Sequence, residues 1–236
     1  MAQDIDLSLP KGVRYALIGP NGAGKTTLIN LLTGMLRPDS GRIVLGEGED
    51  AADITSLKPH LRVQRGLART FQINTLFPQL TPLEAVSLAV LERQGKSGIW
   101  WKSLPAYEDA IEEAFSILKS LNLQAKAGHP TRELAYGQQR LLEIALALAT
   151  RPRVLLLDEP AAGVPKDEST ELFAAIAGLS QDLTVLFIEH DMEVVFRFAS
   201  RILVMVGGRI LVEGAPADIS RDERVREVYL GKRHAA

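Results

Sequence analysis

The stretch that decides the fold of this chain runs from residue 19 to residue 27: Gly19-Pro20-Asn21-Gly22-Ala23-Gly24-Lys25-Thr26-Thr27. It fits the pattern G-x-x-x-x-G-K-[ST], a glycine-rich loop whose backbone N–H groups surround phosphate groups. Apolar residues 13–18 lead into the loop and predict a buried strand, and residues 27–32 lead out of it and predict a helix. A strand, a glycine turn and a helix N-terminus form an anion site, because unpaired N–H groups and the helix dipole point at the ligand.

The flanking strand and helix favour a functional loop over a glycine-rich turn that binds nothing. We therefore predict that the whole stretch from Gly19 to Thr27 binds a nucleoside triphosphate. Lys25 is expected to reach the β- and γ-phosphates, and the Thr26 hydroxyl is expected to hold Mg²⁺.

Composition limits the classes of protein that fit. The 236 residues suffice for one large domain or for a domain with a sizeable insertion, and 46% hydrophobic with 24% charged residues is typical of a soluble globular protein. A formal net charge of −2 without a basic block gives no indication of a nucleic-acid partner. The absence of cysteine excludes disulfides and thiolate metal sites. No apolar run has the length of a membrane span and the N-terminus lacks the regions of a signal peptide, so we expect a cytoplasmic protein.

The pattern along the chain predicts an α/β core interrupted by helices. Residues 154–157 and 183–188 are continuous apolar runs, typical of parallel strands buried on both faces. Residues 202–206 and 209–212 flank Gly207-Gly208 and predict a hairpin.

Between residues 73 and 150 the pattern is helical. Thr81-Pro82-Leu83-Glu84 is a capping box with proline at the first helical position, so it predicts the start of a helix. Ile111, Phe115 and Leu118 recur at helical spacing and predict a second, amphipathic helix.

A second chemical motif is the acidic pair in Leu155-Leu156-Leu157-Asp158-Glu159-Pro160. It follows a buried strand, at the edge where α/β sheets bind their ligands. Asp158 is expected to hold Mg²⁺ indirectly, for instance through water, and Glu159 to act as general base on the attacking water. Alone, such a pair is as often a surface turn, but the upstream loop favours the functional interpretation. His190 follows the next strand; a lone histidine there is more often structural, and only the two earlier motifs favour a role.

A third motif, Leu134-Ala135-Tyr136-Gly137-Gln138-Gln139-Arg140, stands immediately before a helix predicted over residues 141–150. It resembles the signature motif of ABC-type ATPases, and Arg69-Thr70-Phe71-Gln72 resembles their Q-loop. The ordered set of P-loop, Q-loop, signature, Walker B acids and switch histidine covers essentially the whole chain. The Asn-Lys-x-Asp motif of GTPases is absent.

This resemblance implies a P-loop NTPase (RecA-like) α/β core with an antiparallel β edge and an inserted α-helical subdomain. The expected single domain spans residues 1–236, with the core in 1–72 and 151–236 and the helical subdomain in about 73–150. It further implies that ATP and Mg²⁺ are the cofactors, that His190 senses the γ-phosphate, and that Gln72 contacts both nucleotide and metal. In ABC proteins the signature completes the ATP site of the opposite subunit, here through Ala135, Tyr136, Gly137 and Gln138. The chain is therefore expected to pair head to tail with a second copy or with a sibling ATPase.

Within this superfamily the chain resembles the ATP-binding subunits of branched-chain (hydrophobic) amino-acid uptake transporters. The resemblance lies in the Q-loop and signature stretches, in Glu159-Pro160-Ala161-Ala162-Gly163, in Ile188-Glu189-His190-Asp191-Met192, around Gly98-Ile99-Trp100-Trp101 and in the ending Val225-Arg226-Glu227-Val228-Tyr229-Leu230-Gly231. It implies a peripheral ATPase on the cytoplasmic face of the inner (plasma) membrane, bound to transmembrane permease subunits and served indirectly by an extracytoplasmic solute-binding protein. It also implies that the solute is a branched-chain amino acid or a related small polar molecule. For Trp100-Trp101, packing inside the helical insertion is favoured over contact with the permease.

Three features depart from the usual family pattern. Ala135 stands where most ABC ATPases have a serine that bonds the γ-phosphate; the branched-chain type usually has alanine, which leaves the site to backbone amides. Pro165 replaces the aspartate or asparagine that usually makes the D-loop contact between the two ATP sites. Only residues 1–12 precede the strand before the P-loop, where the family normally has another strand and an aromatic residue that stacks on adenine. Tyr15 lies inside the strand and is a poor substitute, so we expect either a truncated start or weakly held adenine.

Two alternatives stay open: an exporter ATPase, for instance of the lipopolysaccharide type, and a soluble ABC ATPase of DNA repair or translation. The soluble class usually has two ATPase halves or long coiled-coil or basic extensions, which this chain lacks. A binding module without catalysis is least favoured, because Glu159 and His190 are both present.

Overall fold

The strand–loop–helix unit around residues 19–27 forms as predicted. The computed structural model describes residues 2–70, 76–96 and 107–230. Strand β1 (Arg14–Ile18) enters the loop and helix α1 (Lys25–Thr33) leaves it. The other described strands are β2 (Val44–Leu45), β3 (Ala52–Asp53), β4 (Leu67–Arg69), β5 (Val154–Asp158), β6 (Thr184–Ile188), β7 (Arg201–Val206) and β8 (Arg209–Gly214). The other described α-helices are α2 (Pro59–Gln64), α3 (Pro82–Arg93), α4 (Glu108–Ser120), α5 (Tyr136–Leu148), α6 (Lys166–Ala177), α7 (Met192–Phe198), α8 (Pro216–Ile219) and α9 (Glu223–Leu230).

Six strands form one sheet in the order β4-β5-β6-β1-β7-β8. Neighbours are parallel except β7 and β8, which form the predicted hairpin and give the sheet its antiparallel edge. In the centre, Leu17 of β1 lies opposite Ile188 of β6 and Leu203 of β7. Because the parallel strands end at the same edge, the loop after β1 and the acidic pair after β5 come to one side of the sheet. Strands β2 and β3 form a separate antiparallel ribbon.

Both faces of the sheet are covered, which explains the continuous apolar runs. On β1, Ala16 and Ile18 belong to one core with residues of α3 to α7. Tyr15 and Leu17 belong to the other core, with Leu28 and Ile29 of α1. The central strands are therefore held rigidly from both sides, and so are the loops at their ends.

Helix α1 is also held at its far end by a buried cation. Arg62 of α2 is 1% exposed and donates hydrogen bonds to the carbonyl oxygens of Leu31 and Leu32, each at 2.7 Å. It also donates to the carbonyl oxygens of Thr55 and Leu57, at 2.8 and 3.0 Å. The positive charge lies where the α1 dipole is negative, so the contact is electrostatically favourable.

The helix between residues 81 and 93 starts at the predicted capping box. The Glu84 N–H donates to the Thr81 hydroxyl at 3.2 Å, and the Thr81 N–H donates to the Glu84 carboxylate at 2.8 Å. The amphipathic helix is also present, as α4, and Leu118 is buried as predicted, but Phe115 is not part of the buried face. The buried residues are Ala110, Ala114 and Leu118, whereas Phe115 is 43% exposed. The small alanines let α4 pack closely on α3, and the larger side chains lie at the margin.

The helix predicted over residues 141–150 begins earlier, at Tyr136, so residues 136–138 form its first turn. The start is stabilised by Gln138, whose Oε1 accepts a hydrogen bond from the Ala135 N–H at 3.2 Å. Apolar periodicity alone did not indicate this turn, since Tyr136, Gln138 and Gln139 are not an apolar stripe.

Candidate nucleotide-binding and catalytic site

The glycine-rich loop folds tightly over the N-terminus of α1. Gly22 and Gly24 have φ angles of 79° and 100°, in the left-handed region that glycine adopts without strain. A Cβ atom at Gly19 would lie 2.2 Å from the Met205 carbonyl oxygen of β7, so a side chain is excluded there. The first N–H groups of α1 have no intrahelical partner and are available to an anion. The loop thus has the form that phosphate binding requires.

Lys25 lies inside this loop. It is 7% exposed, and its Nζ donates to the carbonyl oxygens of Gly19 at 2.7 Å and Pro20 at 3.1 Å. Burial lowers the pKa of the Lys25 ammonium, while the negative charges of Glu159 and Asp158 oppose that effect. The structure therefore brings the loop lysine and the acidic pair into one electrostatic environment. The hydroxyl-bearing Thr26 follows Lys25 in the chain and is exposed in the first turn of α1.

Asp158 is the last residue of β5 and is 5% exposed. Its Oδ2 accepts a hydrogen bond from Arg69 Nη2 at 2.7 Å in a nearly buried ion pair. Arg69 Nη1 also donates to Asn30 Oδ1 of α1 at 2.7 Å. Arg69 thus links three elements, although no role was assigned to it from the sequence. Its position at the end of β4, the strand beside β5, is the feature that could have indicated it.

Glu159 has an unusual backbone conformation. Its φ angle is 50°, which costs a residue with a side chain about 1 kcal/mol or more. Its N–H donates to the Ile188 carbonyl oxygen of β6 at 3.1 Å, which ties it to the next strand. Its Oε1 lies 2.9 Å from Nε2 of His190. The two residues predicted to be catalytic are therefore in direct contact, and their roles stay predictions.

Glu189 is a third carboxylate of this region, and no role was assigned to it from the sequence. It is 7% exposed, and its two oxygens accept hydrogen bonds from the backbone N–H groups of Ala161 at 3.1 Å and His190 at 3.2 Å. Burial raises the pKa of the Glu189 carboxyl, against the effect of the two N–H donors. Glu189 therefore joins the turn after Glu159 to the turn that carries His190.

The signature residues contact the start of α6. The Gly137 N–H donates to Oε2 of Glu168 at 2.9 Å, and the Tyr136 ring lies against Gly163. Arg140 Nη2 donates to the Tyr136 hydroxyl at 2.6 Å, and its guanidinium lies 5.0 Å from the Tyr136 ring centroid. Within the described part of the chain, the signature residues thus contact Gly163 and Glu168, which follow the acidic pair in sequence. Binding of the signature residues to a nucleotide on a second subunit stays a prediction.

Two predicted features lie outside the described residues: Gln72 of the Q-loop and the pair Trp100-Trp101. Tyr15 is described, and its side chain belongs to the hydrophobic core on one face of the sheet. It is 1% exposed, and its hydroxyl donates to Glu213 Oε1 at 3.0 Å. Tyr15 is therefore no substitute for an adenine-stacking aromatic residue, as predicted.

Comparison with known families decides the assignment. The ABC transporter family matches residues 2–162 of the chain. The chain belongs to this family. The family described as branched-chain amino acid ATP-binding cassette transporter matches residues 209–235. The ABC-type ATPase fold predicted from the ordered motifs is confirmed.

Similar sequences and similar solved structures support this family assignment. This ABC transporter chain is 39% identical over 237 residues to the high-affinity branched-chain amino acid transport ATP-binding protein BraF of Pseudomonas aeruginosa, covering 97% of this chain and 91% of that protein. Its structure is similar to the ADP conformation of MJ1267, an ATP-binding cassette of an ABC transporter, with a TM-score of 0.81, 34% identity and coverage of 97% and 91%. It is also similar to the dimeric structure of MJ0796, a bacterial ABC transporter cassette, with a TM-score of 0.71, 26% identity and coverage of 91% and 90%.

The ABC transporter chain is therefore an ATPase that binds nucleotide. In residues 2–70, 76–96 and 107–230, none of the helices is both long and apolar enough to cross a membrane.

Proposed function

We propose that the chain is the ATP-hydrolysing subunit of an ABC importer for branched-chain amino acids or a related small polar solute. The contact of 2.9 Å between Glu159 and His190, beside the buried Lys25, carries the catalytic part of the proposal. The names of the relatives support the solute class.

In this proposal the phosphates of ATP lie against the N–H groups of residues 19–27 and the ammonium of Lys25. Glu159 accepts a proton from the attacking water, and His190 holds the Glu159 carboxylate and senses the γ-phosphate. The rigid strand ends of β5 and β6 keep these side chains in place, so that little reorganisation is needed when water attacks.

Magnesium fits the residues of this site. Mg²⁺ prefers oxygen ligands and is usually held by one or two carboxylates together with substrate phosphates. The Thr26 hydroxyl is exposed at the start of α1, and Asp158 has one oxygen paired with Arg69 while the other is not part of that pair. Within the described ranges no group of three histidine, aspartate or glutamate side chains forms a metal site. Nucleotide phosphates would complete the ligand set. Thr26, Asp158 and Gln72 would hold the ion, which neutralises phosphate charge.

We further propose that the signature residues Ala135, Tyr136, Gly137 and Gln138 bind the nucleotide of a second ATPase subunit, which is another copy or a sibling. Because Ala135 has no hydroxyl, the first-turn N–H groups of α5 supply this contact. Pro165 is the N-cap residue of α6, directly after this region, and offers no side-chain hydrogen bond to the opposite site.

The proposed partners in the membrane are transmembrane permease subunits, with an extracytoplasmic solute-binding protein acting through them and no nucleic acid involved. The core would comprise residues 1–72 and 151–236, and the helical subdomain about 73–150, at the cytoplasmic face of the inner membrane. A groove lined by Leu83 of α3 and by Ile111 and Phe115 of α4 supports a contact of the helical subdomain with the permease.

The test compares Glu159→Gln with the unchanged chain. The variant should bind ATP as tightly as the parent and hydrolyse it at least about 100-fold more slowly, because the general base is lost. Cells in which this variant replaces the native chain should also stop importing radiolabelled leucine, isoleucine and valine. Normal turnover by the variant would refute the catalytic assignment. Normal uptake alongside lost turnover would refute the importer.

A further inference from the structure

The carboxylate of Glu168 lies at the N-terminus of α5, the helix that begins with the signature residues and is here called the signature helix. Glu168 lies in the first turn of α6, and its Oε2 accepts the hydrogen bond of 2.9 Å from the Gly137 N–H in the first turn of α5. The contact is tight, since a Cβ atom at Gly137 would lie 2.6 Å from the same oxygen. Among the residues that the structure describes, the Gly137 N–H is the one hydrogen-bond partner of the Glu168 side chain.

Electrostatics favours this position for a negative charge. The N-termini of α5 and α6 meet here, and each carries a partial positive charge that attracts an anion. A carboxylate that accepts a backbone N–H at a helix N-terminus forms a charge-assisted hydrogen bond. The N-terminus of the signature helix, α5, therefore already has an anionic partner inside a single chain.

The same N–H is the group that the proposed function assigns to a phosphate of the second subunit's ATP. Glu168 already takes this N–H in a hydrogen bond of 2.9 Å. A phosphate drawn to the same N–H would lie beside the Glu168 carboxylate, and the two negative charges would repel each other. Ala135 cannot offer a hydroxyl as an alternative donor. A nucleotide can therefore reach the amide of Gly137 only if Glu168 moves away.

We propose that Glu168 is an intramolecular competitor of the nucleotide: it holds the signature amide in the free chain and must leave when two ATPase subunits close on ATP. Glu168 would thereby set how much ATP is needed for closure. This inference rests on the proposed function, because it needs the signature to bind a partner's ATP.

The experiment uses Glu159→Gln chains, which do not turn ATP over, and adds Glu168→Gln or Glu168→Ala. The matched control is Glu171→Gln, which removes the same charge from an exposed position one turn further along α6. Dimer formation is followed by analytical ultracentrifugation over a range of Mg-ATP concentrations, and ATP binding to each protein is measured by calorimetry.

Both Glu168 variants should form dimers at about tenfold lower ATP concentration than the parent, with the control within about twofold of it. A dimer that appears only in the Glu168 variants also supports the proposal. Glu168 variants that bind ATP but need as much ATP as the parent or more, or that never form dimers, would overturn it and leave the ATPase assignment intact. If neither the parent nor the variants bind ATP, the proposed function fails, and this inference fails with it.

Discussion

At the scale of single residues, the site depends on a few charges held by the backbone. The buried ammonium of Lys25 is stabilised by two carbonyl oxygens of its own loop, and the buried carboxylate of Glu189 by two backbone N–H groups. Neither group can be replaced without leaving backbone partners unpaired. Substitutions at these residues should therefore change ATP binding or hydrolysis more than surface substitutions of the same charge.

Lys25→Ala should bind ATP about ten- to a hundredfold more weakly, because it loses a charge-assisted contact with the phosphates. Fluorescence titration with a labelled ATP analogue measures the change. Lys11→Ala is the control, since Lys11 is 70% exposed and pairs with Asp182. Unchanged affinity in Lys25→Ala would contradict the role of the loop.

Glu189→Gln should lower kcat about tenfold with little change in KM for ATP. A glutamine has one acceptor oxygen and places its NH₂ group against the second backbone N–H, so either Ala161 or His190 loses its hydrogen bond. The turn that carries His190 is then held less firmly, and the position of His190 relative to Glu159 changes. Steady-state kinetics and circular dichroism measure activity and folding together. Glu193→Gln, on the exposed side of α7, is the control. A raised KM with an unchanged kcat would instead assign Glu189 to binding.

At the scale of elements, the helices between β4 and β5 are joined by one carboxylate. Glu113 of α4 receives two hydrogen bonds from Arg93 of α3, at 2.8 and 2.7 Å, and a third at 2.8 Å from Arg151, just before β5. These bonds lower the pKa of Glu113 from 4.5 to about 2, with Arg93 the largest cause. Glu113 therefore connects two helices to the entrance of the strand that carries Asp158.

The pH dependence of stability follows from the sign of this pKa shift. A carboxyl whose pKa is lower in the folded state stabilises the fold fully above its unfolded pKa, 4.5 here, and loses that contribution as the pH falls toward 2. Glu113→Gln should lower the free energy of unfolding by about 2 kcal/mol near pH 7, an amount reduced from the full pKa shift because the side chain is partly exposed to solvent. The difference between parent and variant should shrink below pH 4.5, the ordinary value. Urea unfolding from pH 7 to pH 3 measures it.

The control for this experiment is Glu112→Gln, which changes the neighbouring exposed carboxylate. It should leave stability within about 0.5 kcal/mol of the parent at every pH. A difference between Glu113→Gln and the parent that does not depend on pH would show that the ion pairs contribute nothing.

At the scale of the whole molecule, our proposal gives one chain two parts of an ATP site, the P-loop for its own nucleotide and the signature for that of a second subunit. The P-loop and Glu159 lie at the ends of the parallel strands, whereas the signature contacts the start of α6. The similar MJ0796 cassette has a dimeric structure. The proposed function requires a pairing in which the P-loop of one chain lies against the signature of the other.

Glu159→Gln should therefore shift from monomer to dimer when Mg-ATP is added. Size-exclusion chromatography with light scattering measures the mass, and the same protein with ADP is the control. A shift would show that two copies of this chain can pair. A mass that stays monomeric while ATP is bound, both in this protein and after Glu168→Gln is added to it, would exclude the homodimer and leave a sibling ATPase as the partner.

Much of this molecule can be predicted from its sequence, because local patterns have local physical causes. The glycine loop, the buried strands, the hairpin and the capping box at Thr81 follow from backbone conformation, side-chain period and nearby hydrogen bonds. The start of α5 at Tyr136 and the buried alanine face of α4 do not follow, because Gln138 and the neighbouring helix decide them.

Four residues that we propose to carry the chemistry belong to motifs that can be recognised along the chain: Lys25, Asp158, Glu159 and His190. The contacts of the neighbouring polar residues cannot be recognised in this way, because their hydrogen bonds join distant parts of the chain. Arg69 and Asp158 are 89 residues apart, Glu168 and Gly137 are 31 apart, and Glu189 and Ala161 are 28 apart. Only the tertiary structure could identify these partners, since parallel strand order and helix packing, rather than sequence spacing, bring the charges and the backbone groups together.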